Sequence, residues 1–134
     1  CKTAIEKNEI RLQSDGSPQR DFIHGDDVAG AIELLIKSKK NNGDNIFHIA
    51  SGQTLTILEL AHKVKSVYTQ RYKKDIKIIL PDNLISEYPD PDSSKDIDRY
   101  VISANRLKNL GFKQGLDLEL GINEIFNYLK KRVV

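Results

Sequence analysis

The sequence has 134 residues, 39% hydrophobic and 30% charged, which suits one ordinary globular domain with a moderate core. Its net charge of +2 is too small to argue for a nucleic-acid partner, and the single Cys1 excludes an internal disulfide and suits a reducing compartment. No apolar run approaches the roughly 20 residues that cross a bilayer, and residues 1–7 lack a signal-peptide core, so no membrane association and a cytoplasmic location are expected. The absence of an initial methionine suggests an excised or truncated piece.

Glu9-Ile10-Arg11-Leu12 alternates with period two and leads into the turn formers Ser14-Asp15-Gly16-Ser17-Pro18. Arg20 to His24 then reads as a short strand. Asp26 or Asp27 is expected to cap a helix that carries Val28, Ala31, Ile32, Leu35 and Ile36 on one face. Lys37, Lys39 and Lys40 close it, before the breaker Asn41-Asn42-Gly43-Asp44. Ile46-Phe47-His48-Ile49-Ala50 reads as an apolar strand running into Ser51-Gly52. The segment Thr54–Glu59 is expected to open the next helix, with Thr56 and Glu59 forming a capping box. Ile57, Leu60, Ala61, Val64, Val67 and Tyr68 supply its buried stripe.

Ile76-Lys77-Ile78-Ile79-Leu80 is a third strand, stopped by Pro81. Residues 81–99 form a long, irregular, aspartate-rich loop, a type that is usually functional or disordered. Ser103 is expected to cap a short helix through Arg106, Leu107 and Leu110, with Gly111 as the left-handed residue after it. Asp117 starts the last helix, expected to bury Leu118, Ile122, Ile125, Phe126 and Leu129. The pattern as a whole implies an α/β fold with a small mixed sheet and about four helices.

The basic clusters at 37–40, 71–74 and 130–132 fall at predicted helix ends, where cations offset the helix dipole. No aromatics interleave with them as base-stacking platforms, so no nucleic-acid interface is expected. His24, His48 and His62 lack the spacing and acidic companions of a metal site, and no nucleophile motif occurs. Neither catalytic nor metal residues are assigned. Arg20 is the group with chemistry to offer. Its guanidinium presents a planar fork matched to phosphate oxygens and keeps its charge at physiological pH. Phosphate binding and a salt bridge to Asp21 or Asp26 remain equal alternatives from composition alone. Asp96 and Arg99, at the loop exit, pose the same choice between ribose or phosphate contacts and a solvated loop.

The stretch Pro18-Gln19-Arg20-Asp21-Phe22-Ile23-His24-x-Asp26-Asp27-Val28-Ala29 closely resembles a segment of the extended short-chain dehydrogenase/reductases that act on nucleotide sugars. Further landmarks follow in that family's order. Asn45 to Gly52 resembles its "Y-N-I-G-S-G" strand and turn, and Thr54 to Ala61 its "T-I-x-E-L-A" helix start. Asp98 to Ser103 with Leu107 to Phe112 resembles "R-x-Y-x-x-D-x-x-K-x-x-x-L-G-F/W", and Gly121 to Leu129 the closing "G-I-x-x-x-x-x-Y-L" helix. The resemblance runs from about residue 9 to residue 131.

The resemblance implies an NAD(P)-dependent epimerase or dehydratase of nucleoside-diphosphate sugars, represented by its C-terminal, substrate-binding part over residues 1–134. In that family an N-terminal Rossmann domain holds NAD or NADP, and a tyrosine–lysine pair there works with the nicotinamide. By position, the resemblance puts Arg20 on the diphosphate, Phe22 near the nucleotide, Asp96 on the ribose and Ile57 near the base. Three departures stand out. Ser93 replaces a second diphosphate-binding arginine, and Lys95 offers a point charge there without bidentate geometry. Ser103 replaces an aspartate, and His48 and Ala50 replace the usual Asn and Gly.

None of the eight glycines forms Gly-x-x-Gly-x-x-Gly, and Tyr68, Tyr72, Tyr88, Tyr100 and Tyr128 all lack a lysine four residues on. The chain alone is therefore expected to bind no dinucleotide and to be inactive. Its partners would be a nucleoside-diphosphate sugar and its own Rossmann half, with self-association through apolar faces left bare. The alternatives are a non-catalytic binding or interaction module, and a parent that is a reductase or decarboxylase on the same scaffold.

Overall fold

The computed structural model describes residues 1–38, 46–81 and 98–132. Among the described residues four strands, β1 (Glu9–Arg11), β2 (Gln19–Asp21), β3 (Thr54–Thr56) and β4 (Lys77–Ile79), form two two-stranded ladders, β1 with β4 and β2 with β3. The described helices are α1 (Lys2–Lys7), α2 (Gly25–Lys37), α3 (Ile57–Tyr72), α4 (Asn105–Asn109) and α5 (Leu118–Arg132). The α/β class expected from the sequence is the class observed, with α1 as an additional helix and the strands split between two ladders.

The chain divides into two units. The first comprises Cys1–Arg20, Leu55–Arg99 and Glu119–Val134. Here β1 and β4 run parallel, with Ile10 opposite Ile78 and Arg11 opposite Ile79, and the ladder extends through the Leu12 N–H to the Ile79 carbonyl at 2.9 Å. A parallel pair needs a crossover connection, and α3 lies in the intervening sequence. Its buried positions Leu58, Ala61, Val64, Val67 and Tyr68 follow the 3.6-residue period. Phe126 of α5 is fully buried. It meets the Tyr68 and Tyr72 rings edge-on at 5.8 and 5.9 Å, an arrangement that aligns the positive ring edge with the negative face. The Tyr68 hydroxyl donates to Asn8 Oδ1 at 3.1 Å, which fixes the left-handed residue that ends α1.

The second unit comprises Asp21–Thr54 and Tyr100–Leu118. Its core is Ala31 of α2, Leu107 of α4 and Phe112, with Ile23, Leu34, Leu35, Phe47 and Ile49 packed against them. Arg106 lies over the Phe47 ring at 5.3 Å from its centroid. Gly111 has φ +106°, so the turn after α4 takes the positive-φ residue expected there.

Several expectations are corrected. The strand read over Arg20 to His24 ends at Asp21, and His24 already serves as the N-cap of α2. Residues 46–50 carry no ladder; Phe47 and Ile49 instead turn toward the Ala31–Leu107–Phe112 core. Thr54–Thr56 is a strand, so α3 opens at Ile57. Ala104, not Ser103, is the N-cap of α4, and the Ser103 hydroxyl lies 3.4 Å from the Asn105 N–H, a weak contact. Ile32 and Ile36, placed on the apolar face of α2, and Ile125, read as buried, are 47%, 79% and 49% exposed. Periodicity marks an apolar stripe but not how much of it is covered. Lys39, Lys40, the breaker at 41–44 and nearly all of the loop at 81–99 lie outside the described residues.

Candidate substrate-binding site

The segment after β1 turns at Gly16, whose φ of +81° belongs to the left-handed region. A Cβ at Gly16 would sit 2.7 Å from the Leu58 Cβ, so the close approach requires glycine. That approach brings the Gly16 and Pro18 carbonyls onto the start of α3, where they accept from the Leu58 and Ile57 N–H groups at 3.0 Å each. Thr56 completes the start. Its Oγ1 accepts from the Glu59 N–H at 3.1 Å, while Glu59 Oε2 accepts from the Thr56 N–H at 2.8 Å. The first donors of α3 are thereby taken by protein groups, and this helix start offers no open cradle for a phosphate.

Glu59 has a further partner. The Arg99 guanidinium donates to both of its carboxylate oxygens, at 3.0 and 2.5 Å, in a fork-to-fork pair. Arg99 beside Glu59 is the main cause that holds its carboxyl down to about 2, with the Thr56 donors adding to the effect against desolvation. The Arg99 guanidinium is correspondingly raised. Of the two readings left open for Arg99, a ligand contact or a solvated loop, the structure supports neither: its fork is bound to the first turn of α3.

Arg20 differs from Arg99 in every respect. It is the exposed central residue of β2. Its Nη1 donates to the Gln19 carbonyl at 2.6 Å. Among the described residues its guanidinium makes no salt bridge, and both carboxylates considered as partners face other groups. Asp21 Oδ1 accepts from the Ser51 N–H at 2.8 Å and Oδ2 from the Gly52 N–H at 2.9 Å, clamping the turn in which Gly52 has φ +77°. Asp26 Oδ2 lies 3.8 Å from the His24 ring.

Gln19, next to Arg20, anchors the strand from its side chain. Its Nε2 donates to the Asp98 carbonyl at 2.8 Å, one residue before Arg99. Sequence reasoning missed both this bond and the Arg99–Glu59 pair. Both join residues far apart in the chain, and no local spacing encodes them.

The remaining site residues are placed as follows. Ile57 is half-buried as the first residue of α3, in the same unit as Arg20. Phe22 is half-buried in the second unit. Lys95 and Asp96, with Ser93, lie outside the described residues. Among the described residues no group of three or more His, Cys, Asp or Glu side chains is placed to hold a metal ion. No described helix is long and apolar enough to cross a membrane.

Residues 1–50 match the model of the NAD dependent epimerase/dehydratase family. GDP-L-fucose synthase 1 of Arabidopsis thaliana is 29% identical over 125 residues, covering 93% of this chain and 34% of that protein. The dTDP-L-rhamnose 4-epimerase of Burkholderia thailandensis is 29% identical over 138 residues, covering 98% of this chain and 33% of its own. Among solved structures, UDP-glucose 4-epimerase of Thermotoga maritima with UDP-glucose superposes with a TM-score of 0.69 at 23% identity, over 99% of this chain and 38% of that one. The chain thus spans about a third of the length of the curated relatives it matches.

The fold that these residues adopt is that of the matching portion of the Thermotoga maritima structure. The chain is thus similar to the NAD dependent epimerase/dehydratase family over residues 1–50 and to enzymes named for nucleotide sugars along most of its length.

Proposed function

We propose that this chain is the nucleoside-diphosphate-sugar-binding portion of an NAD(P)-dependent epimerase or dehydratase. Arg20 anchors the substrate diphosphate. The observation that carries this reading is the state of its guanidinium: exposed, bonded to the Gln19 carbonyl and held by no carboxylate among the described residues. An arginine in that state keeps most of its donors for a ligand. A diphosphate matches them in charge and in bidentate geometry.

Ile57 is assigned to the base, Phe22 to the nucleotide, Asp96 to the ribose and Lys95 to a secondary charge contact, all by their positions in the family pattern. The dinucleotide is assigned to the N-terminal Rossmann domain of the whole enzyme, because this chain holds no glycine-rich phosphate loop. NAD or NADP supplies hydride acceptance and return. The chain taken alone is inactive in this reading, since a tyrosine followed by a lysine at the fourth position is also absent. The class of substrate agrees with the relatives named above, whose names specify GDP-, dTDP- and UDP-linked sugars.

Titration of GDP-, UDP- and dTDP-sugars into the full-length enzyme and its Arg20→Ala variant tests the assignment. A lost charged hydrogen bond costs about 1.5–3 kcal/mol, so affinity should fall by roughly ten- to a hundredfold. Unchanged affinity for every nucleotide sugar that binds the parent discards the reading.

A further inference from the structure

Arg20 is exposed and sits on a three-residue strand, yet an anchor that selects a diphosphate has to be held in place before the ligand arrives. The neighbouring residues supply such a hold within a single unit. The carbonyl of Gln19 accepts from Arg20 Nη1 at 2.6 Å, so the position of that peptide sets where the guanidinium rests. The Gln19 side chain in turn donates to the Asp98 carbonyl at 2.8 Å. The next residue, Arg99, is fastened by two hydrogen bonds to Glu59, which is itself locked in the capping box of α3. The relay therefore ends on a sixteen-residue helix whose first turn is also fixed by the Gly16 and Pro18 carbonyls.

We infer that Gln19 and the Arg99–Glu59 pair are positioning residues for Arg20, fixing the diphosphate anchor through the 98–99 backbone. This rests on the reading of Arg20 as that anchor. Two properties of the relay favour positioning over generic stabilisation. Gln19 reaches residue 98 from its side chain and Arg20 from its own carbonyl, so one residue joins both. The Arg99–Glu59 fork fixes orientation as well as distance, which a lysine could not reproduce.

A double-mutant cycle in the full-length enzyme tests this, with GDP, UDP and dTDP as probes in calorimetric titration. Gln19→Ala should weaken binding of the preferred diphosphate by about fivefold, in line with loss of one hydrogen bond. It should raise KM while leaving kcat nearly unchanged. In an Arg20→Ala background the same change should weaken binding by less than about twofold, because the group it positions is gone. Arg99→Lys should mimic Gln19→Ala in part, and it keeps the charge at Glu59 if Arg99→Ala fails to fold. Equal losses in both backgrounds, or no loss from Gln19→Ala where Arg20→Ala does weaken binding, overturn the positioning role alone. No loss from Arg20→Ala overturns the anchor and the positioning role together.

Discussion

Helices α2 and α3 both open with carboxylates in the first turn, and in each one carboxylate leaves its helix to reach a distant segment. In α2 that residue is Asp27. It is 8% exposed and accepts from the Gly115 and Leu116 N–H groups at 2.8 and 3.2 Å, tying the loop before α5 to the helix start. In α3 it is Glu59, which accepts from the Arg99 guanidinium and from its own cap residue. Asp27 is bound by neutral backbone donors, whereas Glu59 is bound by a full charge. The caps differ as well: a histidine ring nitrogen accepts from Asp26 N–H at 3.1 Å in α2, and a threonine hydroxyl closes a reciprocal box in α3. Acidic residues at these two helix starts, read from the sequence for their capping roles, thus also connect segments of their own unit.

The comparison predicts an order of effects. Asp27→Ala should be the most damaging change, because it leaves two N–H groups in a part-buried turn without their acceptor. Each lost bond to a charged group costs about 1.5–3 kcal/mol, so a loss near 3 kcal/mol is expected in urea unfolding. A loss under about 1 kcal/mol would mean that water replaces Asp27 at that turn.

Glu59 should show its charge through pH. Its folded value of about 2 lies below the ordinary 4.5, so the pair contributes fully above about pH 4.5. That contribution is lost as pH falls from 4.5 toward 2. Unfolding measured at pH 7, 4.5 and 3 should show wild type losing more stability across that range than Glu59→Gln. Parallel pH profiles for the two proteins would contradict the ion pair. The smallest effect belongs to His24→Ala, which removes one cap acceptor and should cost about 1 kcal/mol or less. A loss as large as that of Asp27→Ala would show that the ring holds more than the helix start.

The Thr56–Glu59 box was legible in the sequence because both partners lie within one helical turn, and Gly111 because a left-handed residue after a helix has its own signature. The paired apolar stripes of α3 and α5 were legible to the extent that periodicity reports a face; Phe126 and Ile122 are buried while Ile125 is not. The bonds that shape the candidate site were not legible. Glu59 with Arg99, Gln19 with Asp98 and Asp21 with Ser51 and Gly52 all join residues that only the fold brings together. The cap on α2 was misassigned for a different reason. Asp26 and Asp27 are the better cap formers by type, but Asp27 is drawn to Gly115, and the N-cap falls at His24, two residues before Asp26.

Arg20 was singled out from residue chemistry, with a salt bridge to Asp21 or Asp26 as the equal alternative. Among the described residues the Arg20 guanidinium makes no salt bridge to either carboxylate, and the Asp21 carboxylate is taken by the Ser51 and Gly52 N–H groups. The most direct test of the proposed anchor is therefore a structure of the full-length protein with GDP, UDP or dTDP bound. The account predicts the Arg20 guanidinium about 3 Å from diphosphate oxygens. A diphosphate bound elsewhere, with that guanidinium still resting on the Gln19 carbonyl alone, would contradict it.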